Sequence, residues 1–364
     1  MRLWRTLRQI PELILLLAGL LTIPWLPRRC VVGLASGLGS LAYRLGGRLR
    51  RVGRANLDIV FGSNASNADR ERWLRASFGS FALVILDLFW FAVRTRRRSG
   101  RWIQWDNSMS VFSRPPVIGV SAHLGNWEML GFVLLQLGGS CLALAAPLMN
   151  PLADWFLNLI RRGSGERTVR KQGSLRSIFR ELKNGRNVAL VVDQNVVPRD
   201  GGVFMDVFGV PALVSPSPAE LSARTGAPIA VMFCIPDGTG QYHAYASESV
   251  RAADERGVME TTRQIELLLE SEIRKHPECW LWTYKRWHYR AEGTAAAGFF
   301  RLIVVLPAYL ATLGIDGHCL AAGVGVDQAA ADDEPGVKRG RTVNLHPAYL
   351  SQLAGIGGVN LREV

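Results

Sequence analysis

The 364-residue chain has only five cysteines, Cys30, Cys141, Cys234, Cys279 and Cys319, and no two of them stand in a CxxC spacing. That argues against a disulfide framework and a thiolate zinc site, and it fits a reducing compartment. Histidine is scarce too, at six residues, and none supplies the second histidine of an HExxH motif, so no metal site is expected. Lysine is missing from residues 1–110, which hold 18 arginines against six acidic residues. Nearly all of the +13 formal charge therefore lies in that third. No internal repeat is visible. The uncharged N-terminal run, residues 13–26, has 14 residues, short of the roughly 20 that span a bilayer.

What is present is apolar and aromatic. Hydrophobic residues make up 48%, with 11 tryptophans, and the mean hydropathy is +0.11. That composition suits a protein that touches a membrane interface. The N-terminal arginines alternate with stretches such as "LILLLAGLL" and "FALVILDLFWFAV". Nucleic-acid arms are polar between their charges, so an anionic membrane surface is expected and nucleic acid is not. Arg2, Arg5 and Arg8 precede the first apolar run, and Arg28 and Arg29 follow it. Positive charge on both flanks opposes translocation, and "IPWLPRR" offers no small-residue cleavage site. The run reads as a monotopic or marginally spanning anchor, with a buried core helix as the alternative.

Residues 44–54 read as a basic helix, 69–93 as helices, and "RTRRRSGR" (94–101) as a charged break. Strands and helices then alternate. "PVIGVSA", "CLALAA", "NVALVVD", "APIAVMFCI" and "YHAYASESV" predict strands. "WEMLGFVLLQL", "PLADWFLNLIRR", "SLRSIFRELKNG", "SPAELSARTG" and "METTRQIELLLESEIRKH" predict helices. Such alternation predicts an α/β fold, a mixed sheet covered by helices. The expected organisation is an anchor and basic segment at 1–50, a catalytic domain at 51–292, and an extension of open role at 293–364.

One stretch draws chemical attention. In "SAHLGNWEMLG", Glu128 follows His123 by five positions. The spacing alone is weak, because this composition gives about half a match by chance, and His243 and Glu248 repeat it. The second pair falls on an alternating strand, where positions five apart face opposite sides. The first pair lies between an apolar strand and an apolar helix, where α/β sheets place their sites. The pattern puts His123 before the helix, Gly125 and Asn126 in the turn, Asn126 as N-cap and Glu128 in the first helical turn. Two readings stay open on these residues: a base with its orienting acid, or a histidine that only hydrogen-bonds at a strand end.

The same stretch resembles the signature of the bacterial lipid A biosynthesis acyltransferases, the lauroyl/myristoyl transferases within the lysophospholipid acyltransferase superfamily. Four more stretches are similar to that family in the same order: "RVGRANLDIVFG" (51–62), "NPLADWFLNLIRRGSG" (150–165), "VDQNVVPRDGGVFMDVFGVPA" (192–212) and "PECWLWTYKRWHYR" (277–290). The resemblance covers residues 1–292. It implies a lysophospholipid-acyltransferase-like fold, His123 as general base and Glu128 as its acidic partner. It also implies Arg161 or the adjacent Arg162, Asp193, Gln194, Arg199 and Asn126 as groups that bind substrate or support the transition state. The glycerolipid branch of the superfamily carries Asp in the acidic position and an "EGT" box. The "AEGT" here, at 291–294, falls after the last family motif and reads as coincidence.

The chemistry implied is transfer of an acyl chain from a thioester, on acyl carrier protein or CoA, to a hydroxyl of a lipid A precursor. The expected place is the cytoplasmic face of the bacterial inner membrane, and no cofactor is needed. His123 would deprotonate the hydroxyl, with Arg161 or N–H groups near Asn126 receiving the oxyanion. Alternatives are another amphiphilic acceptor (a mannosylated inositol lipid, an aminolipid or an aryl-polyene lipid) and a non-catalytic lipid-binding relative.

Overall fold

The computed structural model describes residues 14–137, 141–145, 154, 155, 158, 166–170, 174–247, 249–252 and 254–289. The extension at 293–364 lies outside them. So does most of the helix expected over "PLADWFLNLIRR", of which residues 154, 155 and 158 are described and helical.

The N-terminal part is helical: α1 (Ile14–Trp25), α2 (Arg28–Leu45), α3 (Gly47–Phe61), α4 (Asn67–Ala92) and α5 (Thr95–Trp102). Pro27, extended at φ −57° and ψ 145°, separates α1 from α2. On α2 the apolar residues divide by helical spacing. Val31, Ala35 and Gly39 turn inward, whereas Leu34, Leu38, Leu41 and Leu45 are exposed. The inward face meets α4 backbone to backbone: a Cβ on Gly39 would sit 2.4 Å from the Gly79 Cα. Ser66 caps α4, its Oγ accepting from the Asp69 N–H at 3.0 Å.

The stretch expected as helices over 69–93 is thus one 26-residue helix that ends at Ala92, with Val93 extended after it. Among the described residues α4 alone is long and apolar enough to cross a membrane, yet 56% of its apolar window is buried. The break after it is only two residues, Val93 and Arg94. Arg94 takes the left-handed conformation, φ 56°, and α5 follows at once.

Nine strands follow among the described residues: β1 (Ile103–Trp105), β2 (Ile118–Ser121), β3 (Cys141–Ala145), β4 (Glu166–Arg170), β5 (Asn187–Val191), β6 (Val203–Val207), β7 (Val210–Val214), β8 (Ile229–Pro236) and β9 (Tyr242–Ala246). Seven form one sheet in the order β1-β9-β8-β2-β5-β3-β4. All neighbours are parallel except β8 and β9, which are antiparallel. Between and after the strands run the helices α6 (Met129–Gln136), α7 (Ser174–Lys183), α8 (Ser217–Thr225) and α9 (Val258–Lys275), with short helical turns such as Asn107–Ser113 and Pro198–Asp200. β8 shows why the sheet needs cover on both faces. Val231, Phe233 and Ile235 enter a core with Leu57, Leu74, Ile265 and Trp282. The alternate residues Ala230, Met232 and Cys234 enter a second core with Val31, Trp90, Met129 and Val133.

The sequence did not announce the hairpin β6–β7. Its two-residue turn, Phe208–Gly209, has positive φ at both positions, 53° and 75°. Asn-Gly is the usual sequence for such a turn. Here a buried phenylalanine takes the first place, and its ring lies 6.2 Å from both Trp280 and Trp287.

Candidate active site

The site is built where β2 and β5 end side by side. Their register pairs Ser121 with Val191. Two residues further on, the two chains carry His123 and Asp193 out at the carboxyl edge of the sheet. The Asp193 carboxylate takes three hydrogen bonds there. The His123 Nδ1 lies 2.7 Å from Oδ1, the His123 backbone N–H donates to Oδ2 at 3.0 Å, and the Trp280 Nε1–H donates to Oδ2 at 2.9 Å.

An ionised carboxylate can only accept, so Nδ1 carries the proton and Nε2 remains as the basic ring atom. Burial alone would press the imidazole below its ordinary range. The Asp193 charge, its hydrogen bond and the charge of Glu128 outweigh that and raise it. Burial works against the Asp193 carboxylate too, and the imidazole and indole hold it below the usual range.

The loop after His123 is pinned on both sides. The Leu281 N–H donates to the His123 carbonyl at 3.2 Å, and the Gly125 N–H donates to the Cys279 carbonyl at 3.1 Å. Gly125 has φ +63°, and a Cβ there would come within 2.3 Å of the Cys234 carbonyl oxygen. Only glycine fits. The Trp127 ring stands edge-on to the imidazole, centroids 4.7 Å apart. Ser77 and Phe81 from α4, with Trp127, Cys279 and Leu281, make the walls of a narrow and mostly apolar cleft at His123.

The other expected site residues fall as follows. Glu128 is partly buried in the turn just ahead of α6, which starts at Met129, and its charge acts on His123. The hydrogen bond to the ring comes from Asp193, 70 residues away in sequence.

Asn126 differs from expectation. It is buried, and its amide nitrogen donates to Asp87 Oδ2 at 3.0 Å and to the Tyr242 hydroxyl at 3.1 Å. It neither reaches the cleft as a substrate ligand nor caps α6 with its side chain, because the Met129 N–H bonds to its main-chain oxygen at 3.1 Å. Of the N–H groups near this position that were expected to receive the oxyanion, its own is taken by the Cys234 carbonyl at 2.8 Å. Gln194 is half-buried beside Asp193. Arg199 is exposed on a short helical turn, 4.0 Å from Asp200. Arg161, Arg162 and Glu248 lie outside the described residues.

Sequence reasoning missed the role of Trp280 and the group Arg28, Asp87 and Tyr242 behind Asn126. Asp87 gave a signal, as a lone acid within "FALVILDLFWFAV", because a charge in an apolar helix needs a buried partner. Four of the five quoted motifs converge in space, and the fifth, at 150–165, lies mostly outside the described residues. Asn56 of "RANL" donates to the carbonyls of Trp282 and Tyr284, both at 2.7 Å. Asn195 of "VDQN" binds the Tyr284 hydroxyl through its N–H and accepts from Arg286 at 2.9 Å.

Comparison with known proteins agrees with this convergence. The chain is 26% identical over 283 residues to a lipid A biosynthesis lauroyltransferase of Escherichia coli K12, covering 74% of this chain and 88% of that one. It is 24% identical over 289 residues to a lipid A biosynthesis palmitoleoyltransferase of the same organism, covering 74% and 89%. A phosphatidylinositol mannoside acyltransferase of Mycobacterium tuberculosis is 28% identical over 171 residues, 45% of this chain and 52% of that one. Among solved structures, the 1-acyl-sn-glycerophosphate acyltransferase of Thermotoga maritima superposes only loosely, at TM-score 0.34 and 16% identity, over 68% of this chain and 98% of that one. The sequence model of the bacterial lipid A biosynthesis acyltransferases matches residues 4–289. The chain belongs to that family and is an acyltransferase.

Proposed function

We propose that this protein moves a fatty acyl chain from a thioester, on acyl carrier protein or CoA, to a hydroxyl of a lipid A precursor. The observation that carries the reading is the 2.7 Å contact between His123 Nδ1 and Asp193, which leaves Nε2 as the base. Nε2 takes the proton of the acceptor hydroxyl as its oxygen attacks the thioester carbonyl. The tetrahedral intermediate then expels the thiolate, which recovers the proton from the imidazolium. The products are an ester and a free thiol. General-base help of this kind is worth about 10²–10⁴-fold.

Direct transfer is favoured over an acyl-enzyme, because burial pushes the Cys279 thiol in the cleft up to about 12. Glu128 supports the imidazolium by its charge. Arg161 or Arg162, Gln194 and Arg199 keep the substrate-facing roles that the resemblance implies.

The acceptor would arrive from a membrane, on the cytoplasmic face of the inner membrane. Ile14, Leu15, Leu17, Leu21 and Trp25 on α1 are exposed together with Leu34, Leu38, Leu41 and Leu45 on α2. So many exposed large apolar side chains on two successive helices suit a membrane contact. Residues 1–50 would serve as the membrane-facing segment and 51–292 as the catalytic part.

The test is His123→Ala in a purified assay with lauroyl acyl carrier protein and under-acylated lipid A. Loss of transfer in a folded variant is expected, and activity near wild type ends the mechanism. The mycobacterial relative makes a mannosylated inositol lipid the second acceptor to try. Mass spectrometry of lipids from a deletion strain separates the two, since an unchanged lipid A counts against the first.

A further inference from the structure

We propose that Arg28, Asp87 and Tyr242 are positioning residues for the reaction, acting through Asn126 on the turn that carries Trp127 against His123. The inference rests on the acyl-transfer reading for its kinetic test.

Arg28 opens α2, Asp87 lies in α4 and Tyr242 opens β9, and all three are buried. Both Asp87 oxygens face the Arg28 guanidinium, and the Tyr242 hydroxyl and the Asn126 amide share Oδ2. Arg28 is fixed in turn by its Nε–H to the Gly240 carbonyl at 2.8 Å and by the Trp90 ring, 4.9 Å from its guanidinium carbon. The anion therefore has four donors, three of them from α2 and β9 and the fourth from Asn126.

Asn126 is the only residue of this group on the catalytic loop. It lies between Gly125, whose φ is +63°, and Trp127, whose ring is 4.7 Å from the imidazole. Its Oδ1 is buried without a hydrogen-bond partner among the described residues, so the bonds to Asp87 and Tyr242 are what orient its side chain, while Cys234 and Met129 hold its backbone. A buried ion pair adds little net stability over apolar residues of similar size. What this one supplies is a fixed point for the turn. Because Arg28 begins the helix that exposes Leu34, Leu38, Leu41 and Leu45, the turn is referenced to that outward face.

The experiment uses the full chain and the variant Arg28→Met with Asp87→Leu, which removes both charges together. The expected result is a melting temperature and KM close to wild type with kcat lowered at least tenfold. Adding Asn126→Ala to this background should lower kcat no further, although alone it lowers kcat comparably. Wild-type kcat in the folded double variant, or independent effects of the two changes, overturns the proposal. If the double variant does not fold, Tyr242→Phe takes its place, with a several-fold loss of kcat expected and wild-type kcat overturning the idea.

A second readout does not need the reaction. The Trp127 ring shifts the His123 Cε1–H resonance, assigned with His123→Gln in ¹³C-histidine-labelled protein. That resonance should move in the double variant and in Tyr242→Phe, and an unmoved resonance overturns the proposal. Should wild type transfer no acyl group, the acyl-transfer reading fails and the resonance still decides the positioning.

Discussion

The Nδ1 of His123 and the Oδ1 of Asp193 are 2.7 Å apart although 70 residues separate them in the chain. The parallel register of β2 on β5 creates that approach. It fixes the tautomer of the imidazole and so decides which nitrogen can take a proton.

Asp193→Asn should therefore lower kcat by about 10²–10⁴-fold, since the amide can hold the wrong tautomer. The pH profile adds a signed test. If His123 is the base, as proposed, its raised pKa means that it is neutral and active only above that pKa. Without the Asp193 charge, the acidic limb of kcat/KM should move to lower pH. A limb that stays in place would show that another group titrates.

Glu128→Gln should move the same limb in the same direction but by less, because Glu128 is the smallest of the influences that raise the imidazole. Parallel pH profiles of Glu128→Gln and Asp193→Asn measure the ranking. An equal or larger shift for Glu128→Gln would reverse it.

Trp280→Phe keeps the ring and deletes the N–H that Asp193 accepts at 2.9 Å. A hydrogen bond to a charged group is worth about 1.5–3 kcal/mol. About a tenfold loss of kcat is expected, with little change in KM. Steady-state kinetics of the purified variant check it, and unchanged kcat would leave the indole with a packing role only.

Gly125→Ala forces a Cβ to within 2.3 Å of the Cys234 oxygen at φ +63°. The left-handed conformation alone costs about 1–2 kcal/mol, and the clash adds to it. A lower melting temperature together with loss of activity is expected. Thermal unfolding followed by tryptophan fluorescence measures it, and a stable, active alanine variant would show that the loop can move away from β8.

Glu266 and Arg286 are both buried, 3.7 Å apart. Burial pushes the Glu266 carboxyl up to about 7. The folded state then holds a proton that the unfolded chain releases near the ordinary glutamate value, so this group lowers stability as pH rises from about 4.5 to 7. Melting temperatures of Glu266→Gln across that range should lack this part of the decline. A wild-type-like slope would place the titration elsewhere.

The sequence by itself determined the local elements and the ordered motifs. Apolar runs bounded by glycine and proline marked β2, β5, β8 and the helices α6 to α9, because burial imposes a periodicity readable within a dozen residues. It placed His123 between a strand and a helix for the same reason. The order of the motifs carried the family, since their succession is a one-dimensional fact. Periodicity gave no sign of the β6–β7 turn, because Phe208 takes a conformation that asparagine or glycine usually announces.

Tertiary structure alone decided who partners whom. Asp193 and Trp280 reach His123 through strand register and a crossing segment. Asn126 turns from an expected cap into a link to Asp87 and Tyr242. Those pairings join residues tens to more than a hundred positions apart, and what selects them is the need of each buried polar group for a partner in three dimensions.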